Sequence, residues 1–378
     1  MPGGQIAVPY VLMRGGTSKC HFFYDHDLPQ DGERDRVLLS ALGSPDPRQI
    51  DGVGGATSLT SKVCIVHPGP HPDVDVAFTF AQVAVDRAVV DYGGTCGNCS
   101  AAVGPFAIEE GLVDAKEPLT SVRVLNTNTG KRFVAEVHVT DGLVDVAGDC
   151  SIAGVPFEGA PIKMWFEEPA GSVTGRLLPT GRPSDVASVP GLGDVEYSFV
   201  DVVNPVAFVR AETLGATGTE LPAEIESDAT LKKQLETIRS AAAVAGGMAE
   251  DADAAARSPG VPKVAFVGPP RGYTTLYGER VDAEAVDVVA RYMSMGTPHQ
   301  AFALSGALCA AAGANLPGTV VHDAAEGAMG SQVRLGHASG VMSLDVEATD
   351  GEDGLQIQRV AGLRTARRLV EGRVFLRP

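Results

Sequence analysis

Cys96-Gly97-Asn98-Cys99-Ser100-Ala101-Ala102-Val103-Gly104 and Ser305-Gly306-Ala307-Leu308-Cys309-Ala310-Ala311-Ala312-Gly313 stand at a constant offset of 209 residues, with Gly, Ala, Ala and Gly matching. Each stretch places a small nucleophile-type side chain and then a glycine at the start of an apolar, Ala-rich segment that reads as a helix. Read as a duplication, the two copies imply an α+β chain of two pseudo-symmetric domains, each a mostly antiparallel sheet rolled around a central helix. The Pro/Gly-rich stretch Leu177–Asp194 is the expected linker. The expected domains are then 1–184 and 185–365, with 366–378 able to return to the first as a strand.

The sequence around the copies fits short strands and tight turns. Val74–Val90, Val122–Val139 and Gly142–Gly148 alternate apolar and other residues, with Asn-Thr-Gly and Asp-Gly marking hairpins. Four segments read as helical: Ser100–Glu110, Asp228–Ser258 with Ser227 or Asp228 as N-cap, Asp282–Tyr292 and Leu308–Ala314. Asp228–Ser258 is either a homodimer contact or an outer helix.

The 378 residues carry 30 Lys or Arg against 47 Asp or Glu, a net charge of −17 that excludes a general nucleic-acid binder. Any anionic substrate must be held by a few local cations and backbone amides against an unfavourable global field. No apolar run approaches the roughly 20 residues that span a bilayer, so no membrane partner is expected. The N-terminus lacks the basic and apolar regions of a secretory leader, which points to the cytoplasm. The six cysteines are therefore expected as reduced thiols rather than a disulfide framework.

Several residues could do chemistry. A thiol at a helix start, Cys96, is a better proton acceptor than an ordinary cysteine, while small buried cysteines that merely pack a turn are also common. The Cys96/Cys99 pair has no second ligand pair at zinc spacing and no βαβ context for a redox pair, so no metal is expected. Arg14-Gly15-Gly16-Thr17-Ser18-Lys19 and Gly54-Gly55-Ala56-Thr57-Ser58-Leu59-Thr60-Ser61-Lys62 fit neither the phosphate-loop spacing nor a dinucleotide fingerprint, and no cofactor is expected. Each could present hydroxyls, amides and one cation to a small anion. Lys62 runs directly into the apolar stretch Val63-Cys64-Ile65-Val66; a lysine buried in this way loses charge readily and can act as a base, although most lysines are solvated. In the second half, His299, Arg291, Arg334, His337 and Asn204 are polar candidates that carry no function unaided.

Together the motifs resemble the PrpF family over essentially the whole chain. They are Arg14-Gly15-Gly16-Thr17-Ser18-Lys19, Asp51-Gly52-Val53-Gly54-Gly55, Leu59-Thr60-Ser61-Lys62-Val63 and Thr95-Cys96-Gly97-Asn98. Ala102-Val103-Gly104-Pro105-Phe106-Ala107, Leu178-Pro179-Thr180-Gly181 and Leu316-Pro317-Gly318-Thr319-Val320 complete the series. The resemblance implies the diaminopimelate epimerase fold, with the site in the cleft between its two domains. It also implies activities such as 2-methylaconitate isomerase and 4-oxalomesaconate tautomerase. The epimerases of this fold use one cysteine at each helix start; here the second position is Ser305, a much poorer base, which argues against an amino-acid or hydroxyproline epimerase.

The expected activity is cofactor-independent isomerisation of an unsaturated di- or tricarboxylate. The resemblance makes Lys62 the base that removes an allylic proton, with Cys96 relaying or donating the second. Arg14, Gly16, Thr17, Ser18, Ser61, Gly97, Asn98, His299, Ser305, Gly306 and Ala307 are the expected substrate contacts. A non-catalytic tricarboxylate binder is the alternative from another class.

Overall fold

At Gly16 the backbone enters the left-handed region, φ +50°, and reverses direction. This joins β1 (Ile6–Gly15) to β2 (Ser18–Tyr24) as an antiparallel hairpin with Gly15 opposite Ser18. The computed structural model describes residues 4–30, 32–93, 95–327, 330–351 and 354–377; residues 1–3 and 378 of the expected domains lie outside them. The chain forms two compact units, Met1–Met164 with Leu363–Pro378, and Trp165–Gly362.

In the first unit β2 runs parallel to β3 (Lys62–Pro68), and β3 pairs antiparallel with β4 (Val76–Val83). β4 lies parallel to Leu119–Asn126, which makes an antiparallel hairpin with Lys131–Thr140. The C-terminal strand Ala366–Leu376 closes the other side, antiparallel to β1. Alternation sorts the side chains of β2–β4 onto two faces. Phe23, Val63, Ile65, Ala81 and Val83 form a core with Leu38, Ala41 and Leu42 of α1 (Arg34–Leu42). Cys20, Phe22, Lys62, Cys64, Phe80 and Gln82 share the opposite face by register. Above that face lie the buried α2 (Gly97–Ser100) and α3 (Val103–Glu109), whose Phe106 ring sits 4.9 Å from Phe22.

The second unit repeats the pairing order. Asp185–Val189, Gly193–Val202 and Asn204–Arg210 are successively antiparallel, and Asn204–Arg210 is parallel to Lys263–Gly268. Lys263–Gly268 is antiparallel to Val288–Ser294, which runs parallel to Gln332–His337 and through it to the antiparallel Gly340–Gly351. Every residue of its helix Leu304–Ala314 is buried. The duplication inferred from the two helix starts thus extends to the strand order, with Ala366–Leu376 in the place that Asp185–Val189 holds in the second unit.

Four local expectations are corrected. Asp282–Tyr292 is not a helix: one 3-10 turn, Ala283–Ala285, leads into the strand Val288–Ser294, because Val286, Val288 and Val289 are β-branched and favour extended backbone. Asp228–Ser258 divides at Gly246-Gly247 into Ala229–Ala245, with Asp228 as N-cap, and Ala252–Arg257. Leu177–Asp194 is no free linker: it contains the strand Asp185–Val189, and Leu177 O accepts from Asp201 N. The cysteines are not all reduced, since Cys20 and Cys99 form a disulfide across Cα positions 6.0 Å apart. Among the described residues no helix is long and apolar enough to cross a membrane.

Phe106, 1% exposed, fills the space between α3 and the β2 face. Phe106→Ala should destabilise the first unit by about 3–5 kcal/mol, read as an earlier urea transition by circular dichroism.

Candidate active site

Lys62 opens β3 with its side chain on the α2 face, and only 9% of the residue is exposed. Its Nζ donates to Gln82 Oε1 at 2.5 Å and lies 5.2 Å from the centroid of the Phe80 ring. Gln82 is oriented by its own Nε2, which donates to Ser61 O at 2.8 Å and Ser58 O at 3.3 Å. The lysine's partner is therefore a neutral amide whose oxygen end is fixed. From the opposite face His21 bonds the carbonyls of Lys62 (3.1 Å) and Val53 (2.9 Å), tying the Gly54-Gly55 turn to the start of β3.

The second element is the turn between β1 and β2, held against α2. Asn98 donates from Nδ2 to Thr17 Oγ1 at 3.0 Å, and its Oδ1 accepts from Arg364 Nε at 3.1 Å. A Cβ on Gly15 would lie 2.2 Å from Asn98 O, and one on Gly16 2.2 Å from Asn98 Oδ1, so the turn is glycine because the motif approaches so closely. Arg14 Nη1 donates to the carbonyls of Gly16 (3.0 Å) and Thr365 (2.9 Å) and so braces the turn from behind. The hydroxyls of Ser18 and Thr365 are buried and reach no partner among the described residues. Two such groups beside one glycine turn are costly unless a polar ligand engages them.

Cys96 is the N-cap of α2 and the less buried cysteine of its motif; its Sγ accepts from Cys99 N at 3.4 Å. Its neighbours are Cys64 and Arg364, both buried. Burial pulls the Arg364 guanidinium down to about 10, while the Cys150 and Cys96 thiols favour its charge. Burial, reinforced by Cys96, pushes the Cys64 thiol up, and Lys62 acts in the opposite sense. The sulfurs of Cys20, Cys64 and Cys99 lie within 4.8 Å of one another. With Cys20 and Cys99 joined, that set does not offer a metal three thiolates.

Of the residues picked from sequence, Gly16, Thr17, Gly97, Asn98 and Cys96 converge at α2, and Ser18 shares the sheet face of Cys20 and Lys62. Ser61 does not join them: its hydroxyl donates to Val83 O at 2.8 Å and accepts from Gln49 Nε2 at 2.7 Å, on the far side of the turn. The Gly54–Lys62 turn is likewise bonded internally, with Ala56 N donating to Gln49 Oε1 at 2.8 Å. In the second unit Ser305 is buried in the first turn of its helix, which begins at Leu304, whereas Cys96 stands just before its own. Gly306 lies where a Cβ would meet the Tyr292 ring at 2.5 Å, and that ring also packs edge-on to His299. His299 Nδ1 accepts from Ala301 N at 3.0 Å, and Ala307 N continues the helix by donating to Ala303 O. Arg334 pairs with Asp287, and Arg291 is buried with its Nε and Nη1 on backbone carbonyls.

Arg364 and Gln82 went unrecognised in the sequence. Arg364 lies 266 residues from Asn98, and no motif marks it. Gln82 sits in an alternating strand, and its place opposite Lys62 is set by a pairing register that no sequence motif marks.

Two strand-wrapped helices in units of one pairing order, the first opening at Cys96 above the sheet face that carries Lys62, define a diaminopimelate epimerase-like fold. A probable proline racemase from Agrobacterium radiobacter K84 shares that fold at 13% identity, TM-score 0.54, with 97% of this chain and 92% of that one covered. The family described as PrpF protein matches residues 5–377, and the chain belongs to it. It is 46% identical over 376 residues to the 3-methylitaconate isomerase of Eubacterium barkeri, covering 98% of each. It is 41% identical to the 2-methyl-aconitate isomerase of Shewanella oneidensis, covering 97% of this chain and 96% of that one. The crystal structure of a methylitaconate-delta-isomerase superposes with TM-score 0.85 at 46% identity, covering 98% and 96%.

Gly16→Ala combines a left-handed φ with a clash against Asn98. It should cost about 1–3 kcal/mol, read as a lower urea midpoint.

Proposed function

We propose that this chain isomerises an unsaturated di- or tricarboxylate without a cofactor, by moving an allylic proton. The observation that carries the reading is Lys62, an almost buried amine on the α2 face whose hydrogen-bond partner is the neutral, fixed oxygen of Gln82. The Lys62 amine takes a proton from the carbon allylic to the substrate double bond, and the C–H electron pair passes into a dienolate. Negative charge then spreads onto the carboxylate, where the N–H groups that open α2 at Gly97 and Asn98 and the charge of Arg364 stabilise it. Returning a proton to the far carbon of the allyl unit shifts the double bond. Rotation before the proton returns exchanges cis for trans. Cys96 delivers that proton, and Lys62 restores it to the thiol in the following step.

The hydroxyls of Ser18 and Thr17 bind a carboxylate at the β1–β2 turn. Asn98 shapes that corner, and Arg364 positions Asn98. Ser305, Gly306, Ala307 and His299 are the candidate substrate contacts of the second unit. The relatives' printed names supply the substrate class: both act on short branched unsaturated acids.

The test is a proton NMR time course in D₂O with methylitaconate, methylaconitate and aconitate. We expect one compound to exchange and isomerise, and Lys62→Ala to slow both by about 10²–10⁴-fold. Exchange that survives in Lys62→Ala would move the base to Cys96. Binding without any exchange across the panel would favour the non-catalytic binder. In the same assay Arg364→Gln should lower kcat/KM by about tenfold to a hundredfold, the effect of losing one hydrogen bond to a charged group.

A further inference from the structure

Of the five cysteines that no step of this reaction uses, three are grouped: Cys20, Cys64 and Cys99. Cys20 lies on β2 as the register partner of Lys62, Cys64 lies on β3 opposite Phe80, and Cys99 projects from α2. All three are fully buried, and their sulfurs lie within 4.8 Å of one another. Cys20 and Cys99 are joined across 79 residues of sequence. Three residues before Cys99, Cys96 is only partly buried, and its sulfur accepts from the Cys99 N–H.

We propose that Cys20, Cys96 and Cys99 form a reversible thiol–disulfide site, whose closed Cys20–Cys99 bond pins α2 to the strand beside Lys62 and which exchanges with external dithiols through Cys96. A reductant cannot reach either sulfur of the closed bond directly, since both are buried. The Cys96 thiolate attacks Cys99 Sγ, forming a Cys96–Cys99 bond and releasing Cys20 as a thiolate that takes up a proton. One sulfur of an external dithiol then attacks Cys96, and Cys99 leaves. The second sulfur closes on the first, which leaves three protein thiols, Cys96 free again, and one external disulfide. Closure in the other direction consumes a hydroperoxide: two thiols and ROOH give the disulfide, ROH and water. Cys64 is close enough to compete for the attack, but it is fully buried and burial keeps its proton on. Exchange therefore runs through Cys96. The inference does not rest on the isomerase reading, because its readout is the mass of alkylated peptides.

The experiment follows dithiothreitol reduction of the native, air-equilibrated protein. Aliquots are quenched in acid, alkylated under denaturing conditions and mapped by mass. Wild type should show four alkylated cysteines before reduction and six after, the added pair being Cys20 and Cys99. Cys96→Ala should still form the bond but be reduced at least about tenfold more slowly, because its internal nucleophile is gone. Cys64→Ala should be reduced at the wild-type rate. Wild-type melting should fall by roughly 5 °C or more on reduction, and that shift should vanish in Cys20→Ser. Six free thiols in air- and peroxide-treated wild type would overturn the proposal. So would Cys96→Ala reduced as fast as wild type, or slow reduction specific to Cys64→Ala. Should Cys20→Ser fail to fold, thiol mapping of wild type and Cys96→Ala still decides the matter.

Discussion

The close approach of Asn98 to the β1–β2 turn is the contact on which the arrangement of the first unit's candidate site depends. Asn98 is a buried amide, and its side chain is satisfied from two directions, by Thr17 and by Arg364. Leaving either group unmade would cost more than the bond itself contributes, so the turn, the helix start and the C-terminal segment bearing Arg364 are held as one arrangement. The same approach demands glycine at positions 15 and 16, since any Cβ there would strike Asn98. A polar residue at the start of an apolar helix thereby dictates the loop above it and the strand that returns 266 residues later.

Electrostatics give that arrangement its use. The chain is strongly acidic, with a net charge of −17, yet Lys62 and Arg364 are both buried in the first unit. Lys62 meets an amide and Arg364 meets the oxygen of another. In a low-dielectric interior the charge of Arg364 outweighs a distant net charge that salt screens within about 10 Å. An anionic substrate can thus be recognised by a protein whose surface on average repels it.

Repetition of the strand order shows how one architecture is tuned at equivalent positions. Across the parallel and antiparallel pairings, Cys20, Lys62 and Gln82 line up in the first unit. Val206 pairs with Lys263 in the second, and Lys263 Nζ donates to Ser294 Oγ at 3.4 Å. A lysine opens the corresponding strand in both, but its neighbours change from a disulfide-bonded cysteine and an amide to a valine and a hydroxyl. The helix starts differ as well: Cys96 stands before its helix, and Ser305 lies inside the first turn of the other.

Local patterning and nearest-neighbour chemistry were enough to expose the duplication, the α+β class, the hairpins around Asn126–Lys131 and the cap at Asp228. Each depends on residues a few positions apart, and hydrophobic period, glycine turns and capping side chains act at that range. The ordered motifs also pointed to Lys62, Cys96, Asn98 and the glycine turn. Val288–Ser294 misled because its preceding acidic, Ala-containing turn resembles a helix start, and pairing with Lys263–Gly268 overrides that resemblance. Arg364 beside Asn98, Gln82 beside Lys62 and the Cys20–Cys99 bond had to await the tertiary structure. Each is a contact between residues 20, 79 or 266 positions apart. Such pairs are selected by strand register and by which face a side chain takes, and a single-residue shift of register would separate them all.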